Sequence, residues 1–317
     1  MIQAFTIRDD DHDIRLDRWF KRYYPNITQG ELQKAIRKGL IRLDGKKLKA
    51  TSDHVTAGAA LEVKYLDLAS EREAGRKPEP RRMELSKDQI KETRSWVIYQ
   101  DEHVIAINKP AGLASQGGSK LTDHLDARLA ALQFDKPEPP KLVHRLDKDT
   151  SGVLLLGRSA QAASKLAKAF AQKRCEKRYW AIIVGVPDMY EGEIDGAIIK
   201  SNTAMEKMMV DPEGKRAITA YRVIEAMAKK LAWVELMPIT GRTHQLRVHM
   251  AEMGNPILGD GKYGGQEAFI SGMALSKKLH LHARELVLPD WYGKTLRLTA
   301  PLPPHMQQSF RELGLNA

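Results

Sequence analysis

The feature that most constrains this chain is a series of short apolar segments, separated by turns, from about Val97 to the C-terminal region. The segments are WVIYQ, HVIAIN, GVLLLG, YWAIIVG, LAWVELMPI, ELVLP and TLRLTA. Apolar runs of this length, bounded by polar stretches, predict β-strands. None approaches the roughly 20 consecutive apolar residues that a membrane-spanning helix needs. The larger part of the chain is therefore expected to fold around a sheet.

Helices are predicted between some of these strands. AQAASKLAKAFAQK places its apolar residues on one helical face, and the segment containing HQLRVHMAEMG is expected to be helical from near Thr243 to near Gly254. Many strands, few helices and irregular connections favour an α+β domain over alternating βαβ units.

Basic residues are concentrated near the N-terminus. The 317-residue chain has 51 Lys and Arg against 40 Asp and Glu, a formal net charge of +11. Between Ile14 and Lys49 there are 11 basic and three acidic residues, so +8 of that surplus lies in one short stretch. Such a concentration favours a polyanionic partner, because basic side chains that bind phosphates release counterions. A basic but otherwise ordinary surface is the alternative.

The same stretch is predicted to form two short helices and a hairpin. IRLDRWFKRYY has apolar residues at spacings of three and four, and Thr28 with Glu31 has the pattern of a capping box. Asp44-Gly45 predicts a two-residue hairpin turn. Basic residues of both helices share faces, which makes them candidates for RNA contacts. The candidates are Arg15, Arg18, Lys34, Arg37 and Lys38.

From Asp13 to about Lys64, with RLDRWFKRYYPNITQGELQKAIRKGLIRLDGKKLKA at its centre, the sequence resembles the S4-like RNA-binding domain. The resemblance implies a small α+β unit that holds structured RNA by backbone and shape. The polar segment that follows carries Pro78 and Pro80 and predicts a linker. The expected organisation is an RNA-binding domain over residues 1–65, a linker over 66–96 and a larger α+β domain over 97–317.

Two segments carry the candidate chemistry. In LVHRLDKDTSGVLLLG, Asp147 lies at the mouth of a buried strand, where binding and catalytic side chains are often held. An ordinary turn through Asp149 and Thr150 explains the same pattern. In HQLRVHMAEMG, Arg247 falls on an apolar helix face, and a buried guanidinium needs an anionic partner. Asp147 is the candidate partner, and an arginine that snorkels at the helix edge is the alternative.

Four separated motifs together identify a family. HRLDKDTSG, preceded by INKPAGLASQGG and followed by KRYWAIIVG and TGRTHQLRVHMAEMGNPILGDGKYG, resembles the RluA-type pseudouridine synthases. The resemblance covers nearly the whole chain in the family's order, and is greatest to the branch that acts on large-subunit (23S) ribosomal RNA. It implies an α+β catalytic domain with a mixed or antiparallel sheet. It also implies an isomerase that converts uridines in RNA into pseudouridine and requires no cofactor and no metal.

The resemblance also implies roles for individual residues. Asp147 matches the family's catalytic aspartate, Tyr179 in KRY its active-site tyrosine, and Arg247 the arginine that pairs with the aspartate. Arg145 matches the arginine that enters the space left by the displaced nucleotide. Lys109 belongs to the KPxG turn, which is interpreted as structural. Hydrogen-bonding support is expected from His144 and His244.

Other interpretations stay open at this point. A pseudouridine synthase that acts on transfer RNA, or a non-catalytic RNA-binding ribosome-assembly factor, would share parts of the pattern. His280 and His282 alternate like strand residues, so hydrogen-bonded core histidines are favoured over metal ligands. Cys175, the single cysteine, is expected to be a small packing residue. A chain with one cysteine and no apolar span is expected in the cytoplasm, with RNA rather than a membrane as its partner.

Overall fold

The structure is a computed structural model that describes residues 2–24, 27–64, 85–117, 122–201 and 207–316. The chain divides into two compact units, Met1–Arg81 and Arg82–Ala317. Each unit has its own buried apolar core. Within the described ranges, no helix combines the length and the apolar character needed to cross a membrane.

The first unit is a small α+β fold. Its elements are β1 (Ile2–Thr6), β2 (Ile14–Arg15), α1 (Leu16–Tyr23), α2 (Gln29–Arg37), β3 (Ile41–Leu43), β4 (Lys46–Lys47), β5 (His54–Val55) and β6 (Ala60–Lys64). Strands β1, β6, β3 and β4 form an antiparallel sheet in that order, and β2 pairs with β5.

The local signals predicted for this unit are confirmed. Leu16, Trp19 and Phe20 of α1 are buried in its core. Thr28 caps α2: its hydroxyl accepts the Glu31 N–H at 3.3 Å, and the Glu31 carboxylate accepts the Thr28 N–H at 2.8 Å. The hairpin turn between β3 and β4 places Asp44 at φ 48° and the following glycine at φ 74°, a geometry that suits an Asp-Gly pair.

The second unit is built on a large sheet. Its helices are α3 (Lys87–Ser95), α4 (Leu125–Arg128), α5 (Ala160–Ala171), α6 (Gln245–Glu252) and α7 (Pro304–Glu312). Its strands are β7 (Val97–Gln100), β8 (Val104–Lys109), β9 (Lys141–Leu142), β10 (Ser151–Gly157), β11 (Glu176–Val184), β12 (Glu191–Asp195), β13 (Ile198–Lys200), β14 (Met208–Val210), β15 (Ile218–Met227), β16 (Leu231–Pro238), β17 (Leu281–Trp291) and β18 (Lys294–Thr299).

Ten of these strands form one mixed sheet. The main order is β12-β15-β16-β11-β17-β10-β8-β7, with β18 paired to β17 and β9 to β10. The pair of β10 and β17 is parallel, and the other pairs in this sheet are antiparallel. The predicted α+β class with a mixed sheet is therefore confirmed.

The linker prediction extends too far toward the C-terminus. Residues 66–84 of the predicted linker lie outside the described residues. Helix α3, however, belongs to the second unit and begins with a capping box between Ser86 and Gln89. It is attached by polar contacts: Arg94 Nε donates to the Ala131 carbonyl at 2.9 Å. Apolar periodicity does not reveal a helix of this kind.

A glycine lets β10 and β17 approach each other closely. Gly152 of β10 has φ +116°, and a Cβ at this position would lie 2.2 Å from the Ala283 carbonyl oxygen of β17. A residue with a side chain therefore cannot occupy the position without moving the backbone. The close contact fixes where the loop before β10 meets β17.

Candidate active site

A cavity of about 980 Å³ opens in the second unit beside the loop that precedes β10. Its walls come from that loop, from the segment that joins α5 to β11, and from the segment that joins β16 to α6. The three residues predicted to be catalytic, Asp147, Tyr179 and Arg247, all line it. Residues far apart in sequence therefore meet in one concave site, which is large enough for a ligand of nucleotide size or more.

The charge of the lining is mainly positive. Six basic and two acidic residues face the cavity, a composition that suits an anionic ligand. The basic residues are Arg145, Lys173, Lys177, Arg178, Arg242 and Arg247, and the acidic ones are Asp147 and Glu176. Arg145 is exposed, so it is free to move toward a bound ligand.

The loop that carries Asp147 is held from two sides. The Ser115 hydroxyl accepts the Leu146 N–H at 3.0 Å and donates to the Leu146 carbonyl at 2.6 Å. Farther along the loop, the Thr150 N–H donates to the Asp147 carbonyl at 3.2 Å and closes a turn. The carboxylate is thus presented by a backbone with little freedom to move.

Lys109 of the KPxG turn connects that turn to the same loop. Its buried ammonium donates to the carbonyls of Pro110 at 2.8 Å, Leu113 at 2.7 Å and Lys148 at 3.1 Å. Burial lowers the pKa of Lys109 to about 7, although Asp149 and Asp147 oppose this shift. The contact with Lys148, the residue after Asp147, gives the turn the structural role that its motif suggests.

Tyr179 lies on β11 and faces the Asp147 side of the cavity. Burial, and then the negative charge of Asp147, raise the pKa of Tyr179 well above its ordinary value. The side chain is therefore a neutral phenol at physiological pH. Its ring offers an apolar face to a base withdrawn from a helix, and its hydroxyl can exchange a proton.

The predicted ion pair between Arg247 and Asp147 is replaced by another pair. Arg247 donates from Nε and Nη2 to the two carboxylate oxygens of Asp260, both at 2.7 Å. Burial alone would lower the pKa of Arg247, but the hydrogen bonds and charge of Asp260, together with the charge of Asp147, raise it. The guanidinium prefers Asp260 because that carboxylate is buried and offers a two-pronged contact, whereas Asp147 is partly exposed.

The side chain of His244 lies beside Asp147. Its Nε2 lies 3.9 Å from Asp147 Oδ1, and its Nδ1 lies 2.6 Å from the hydroxyl of Tyr263. The guanidinium of Arg247 lies over the ring of Tyr263, 5.0 Å from its centre. Sequence analysis missed both Asp260 and Tyr263, because GDGKYG has no motif spacing that relates it to the helix before it.

His144 connects the Asp147 loop to β10 and α5. Its Nε2 accepts the Leu155 N–H at 2.9 Å, and its ring stacks on Phe170 with centres 4.3 Å apart. Burial, with a smaller effect of Lys177, lowers the pKa of His144 to about 3. The ring is therefore a neutral structural group.

The basic residues predicted to bind RNA fall into two groups in the first unit. Arg18 on α1 is exposed, and so are three residues at the end of α2 that form the basic face of α2. These three are Lys34, Arg37 and Lys38. Arg15 differs, because its guanidinium already pairs with Asp17 at 2.6 Å.

His282 on β17 and His280 just before this strand are hydrogen-bonded core residues. His280 contacts the Ser309 hydroxyl and His282 the Ser151 hydroxyl, each at 2.8 Å. Burial lowers the pKa of each to about 4. Among the described residues, no three His, Cys, Asp or Glu side chains are grouped as metal ligands. Cys175 is buried, and burial raises its pKa to about 11, as suits a packing residue.

A basic α+β unit together with a cavity that joins a carboxylate, a neutral tyrosine and basic side chains defines an RNA-directed enzyme. The RNA pseudouridylate synthase family model matches residues 103–252, and the S4 domain model matches residues 14–61. Ribosomal large subunit pseudouridine synthase C of Rickettsia bellii is 39% identical over 304 residues, 93% of this chain and 96% of that protein. The Vibrio cholerae protein of the same name is 32% identical and covers 98% and 97%.

A solved structure agrees with these matches. Human RNA pseudouridylate synthase domain containing 4 is 30% identical, with a TM-score of 0.59, over 73% of this chain and 98% of that one. The chain therefore belongs to the RNA pseudouridine synthase family, with an S4 domain near its N-terminus. It is an isomerase that converts uridine in RNA into pseudouridine.

Proposed function

We propose that this enzyme modifies uridine in large-subunit ribosomal RNA and that Asp147 carries the reaction. The RNA target is supported by relatives named for the ribosomal large subunit, which match nearly the whole chain. The role of Asp147 is supported by its position, since its carboxylate lines the same cavity as Tyr179 and Arg247. That shared cavity is the observation on which the assignment depends.

The reaction explains which side chains the cavity needs. The bond between N1 and C1′ of uridine breaks, the uracil turns, and C5 joins C1′; the C5 proton leaves and N1 gains one. No atom is lost overall and no electrons are gained, so acid, base and nucleophile suffice. Asp147 begins the reaction, either by attacking the nucleoside or by taking a proton from its sugar.

The remaining lining residues bind and release the base. The Tyr179 ring stacks on the uracil, and its neutral hydroxyl is placed to help move the C5 proton. Withdrawing a nucleotide from a helix costs a few kcal/mol of stacking, and Arg145 at the rim offsets part of this cost by filling the gap. The first unit adds affinity through phosphate contacts, which carry little sequence information.

Replacement of Asp147 tests the site. The Asp147→Ala variant should bind RNA with unchanged affinity but form no pseudouridine, measured by proton release from C5 of labelled uridine. Glu176→Ala is the matched control, because Glu176 is the other carboxylate that lines the cavity. The control should stay active. Pseudouridine formation by Asp147→Ala would refute the assignment.

Mapping of pseudouridines tests the RNA target. Large-subunit ribosomal RNA from cells without this protein should lack specific pseudouridines that cells with it contain. Loss confined to transfer RNA would instead support the transfer-RNA alternative. Loss from neither RNA would support the non-catalytic assembly factor. We also propose action in the cytoplasm, where the free thiol of Cys175 stays reduced.

A further inference from the structure

The GDGKYG loop after α6 contributes more than the carboxylate of Asp260. Its Tyr263 hydroxyl contacts Nδ1 of His244, and Nε2 of the same ring faces Asp147. The three side chains form a line from this loop to the candidate catalytic carboxylate. Arg247 directs its Nε and Nη2 at Asp260, and among the described basic side chains it is His244 whose nitrogen lies within 4 Å of the Asp147 carboxylate.

The hydrogen bonds of Tyr263 favour one position for the proton of His244. The Met208 backbone N–H donates to the Tyr263 hydroxyl oxygen at 3.3 Å. Burial raises the pKa of Tyr263, although the Met208 N–H and Arg247 oppose this shift, so the hydroxyl keeps its proton. With the oxygen accepting from Met208, the arrangement favours a hydroxyl that donates to Nδ1 of His244, 2.6 Å away. A neutral imidazole that accepts at Nδ1 carries its hydrogen on Nε2.

The surroundings of His244 keep the ring neutral. Burial lowers its pKa below the ordinary histidine value. Four charged groups face it: Asp147 and Asp260 raise the pKa, whereas Arg247 and Lys262 lower it. Positive and negative neighbours are balanced in number, so burial decides the direction. A neutral ring has one N–H, and its location therefore matters.

His244 has a left-handed backbone conformation, and hydrogen bonds from its neighbours hold this turn. Its φ of 55° and ψ of 19° lie in the left-handed region, which few non-glycine residues adopt, although Asn, Asp and His do so more often than the others. The side-chain oxygen of Gln245 fixes this turn by accepting the Thr240 hydroxyl at 2.7 Å and the Arg242 N–H at 3.0 Å. These bonds hold the turn that presents the ring of His244 to Asp147.

We propose that His244 and Tyr263 are positioning residues for Asp147: Tyr263 fixes the Nε2–H tautomer of His244, and this N–H orients the Asp147 carboxylate. The inference rests on the proposed role of Asp147. At 3.9 Å the contact is longer than a hydrogen bond in the free enzyme. It shortens when RNA fills the cavity, as catalytic hydrogen bonds commonly do on substrate binding.

The tautomer is measured directly by NMR on the full chain labelled with ¹⁵N-histidine. A long-range ¹H–¹⁵N spectrum separates the protonated ring nitrogen from the unprotonated one, and the His244 signals are those lost in His244→Gln. Wild type should have the Nε2–H form, and Tyr263→Phe should lose this preference. The Nδ1–H form in wild type would overturn the proposal. This measurement needs no activity, so it is independent of the proposed function.

Kinetics test the consequence for Asp147. Tyr263→Phe keeps the ring beneath Arg247 and removes only the hydroxyl. It should lower kcat about 10-fold, the loss expected for one well-placed hydrogen bond, and leave KM within about twofold. An unchanged kcat would contradict the proposal. An equal rise in KM would indicate a role in RNA binding instead and would also contradict it.

Two substitutions of His244 separate positioning from backbone support. Glutamine places its amide near the position of Nε2, whereas asparagine reaches only the position of Nδ1. Asparagine tolerates the left-handed backbone better than glutamine does. If the Nε2–H of His244 orients Asp147, the His244→Gln variant should be more active than His244→Asn, even where His244→Gln is the less stable of the two in urea. The reverse order of activity would mean that His244 serves only the turn.

Discussion

The buried ion pair of Arg247 and Asp260 gives a prediction whose magnitude follows from its geometry. The side chains are 8% and 1% exposed, and two hydrogen bonds of 2.7 Å join them. Asp260→Ala removes both bonds and leaves a guanidinium buried without its counter-charge. Breaking a buried pair in this way costs about 3–5 kcal/mol. We expect the free energy of unfolding of the second unit to fall by that amount.

The chain contains a matched control. Arg216 and Asp195 also form an Arg–Asp pair, with an Nη2 to Oδ2 distance of 2.8 Å, but their side chains are 72% and 51% exposed. Water solvates the arginine when its partner is removed, so Asp195→Ala should leave stability almost unchanged. The two substitutions remove the same chemical group from similar contacts. Their difference therefore measures the effect of burial.

Urea unfolding provides the assay. The near-ultraviolet circular dichroism follows mainly the second unit, because four of the five tryptophans lie there and Trp19 lies in the first unit. A loss of about 3–5 kcal/mol should move the midpoint of the second unit by at least about 1 M. A double variant, Arg247→Met with Asp260→Leu, should be more stable than either single variant, because no unpaired charge stays buried. Equal midpoints for Asp260→Ala and Asp195→Ala would refute the reasoning, and so would additive losses in the double variant.

Three further predictions concern the sheet, the core histidines and the first unit. Gly152→Ala should lower the free energy of unfolding of the second unit by several kcal/mol in urea, because the added Cβ would lie 2.2 Å from the backbone of β17. Gly30→Ala is the control: no atom lies within 4 Å of a Cβ at this position of α2, so the substitution should be neutral or slightly stabilising. Burial lowers the pKa of His282 to about 4 in the folded state, against ~6.5 in the unfolded chain, so the unfolded chain binds more protons below pH 6.5. Between pH 7 and pH 5, the free energy of unfolding of wild type, measured in urea, should therefore fall by about 2 kcal/mol more than that of His282→Gln. Alanine at all three residues of the basic face of α2 should reduce the slope of log affinity against log salt by about 2 in RNA titrations. Arg15→Ala should reduce it less, because Arg15 is already paired with Asp17. A slope equal to that of wild type in the triple variant would mean that the face is only solvated.

Local chemistry explains why the first unit was predicted well. The capping box of Thr28 and Glu31 and the Asp44-Gly45 turn depend on residues at most three positions apart, so the sequence contains the whole interaction. Helix α3 was missed for the opposite reason. Its contacts are polar and reach residues such as Ala131, far along the chain. The pattern of Ser86 and Gln89 was the available signal for that helix.

The sequence did not predict which aspartate pairs with Arg247. The apolar face around Arg247 correctly indicated a buried guanidinium that needs a carboxylate. Sequence cannot tell which of several aspartates is nearest, because Asp147 precedes Arg247 by 100 positions and Asp260 follows it by 13. The selection depends on the path of the loop after α6. The same path brings Tyr263 to His244, and no periodicity encodes it.

The sheet sets the position of Tyr179 relative to the start of β10, the strand that follows the Asp147 loop. Ala283 on β17 is paired with Gly152 of β10 on one side and with Tyr179 of β11 on the other. Adjacent strands are about 4.8 Å apart, so these two partners lie roughly 10 Å apart across one strand. Asp147 lies five residues before Gly152. The turn closed by the Thr150 N–H and the Asp147 carbonyl keeps Asp147 near the start of β10. A register shift beside Tyr179 interrupts the pairing of β11 with β17, as bulges often do next to active sites. Strand register, which tolerates no slip, therefore places Tyr179, whereas Asp147 and His244 come from loops that the sheet anchors.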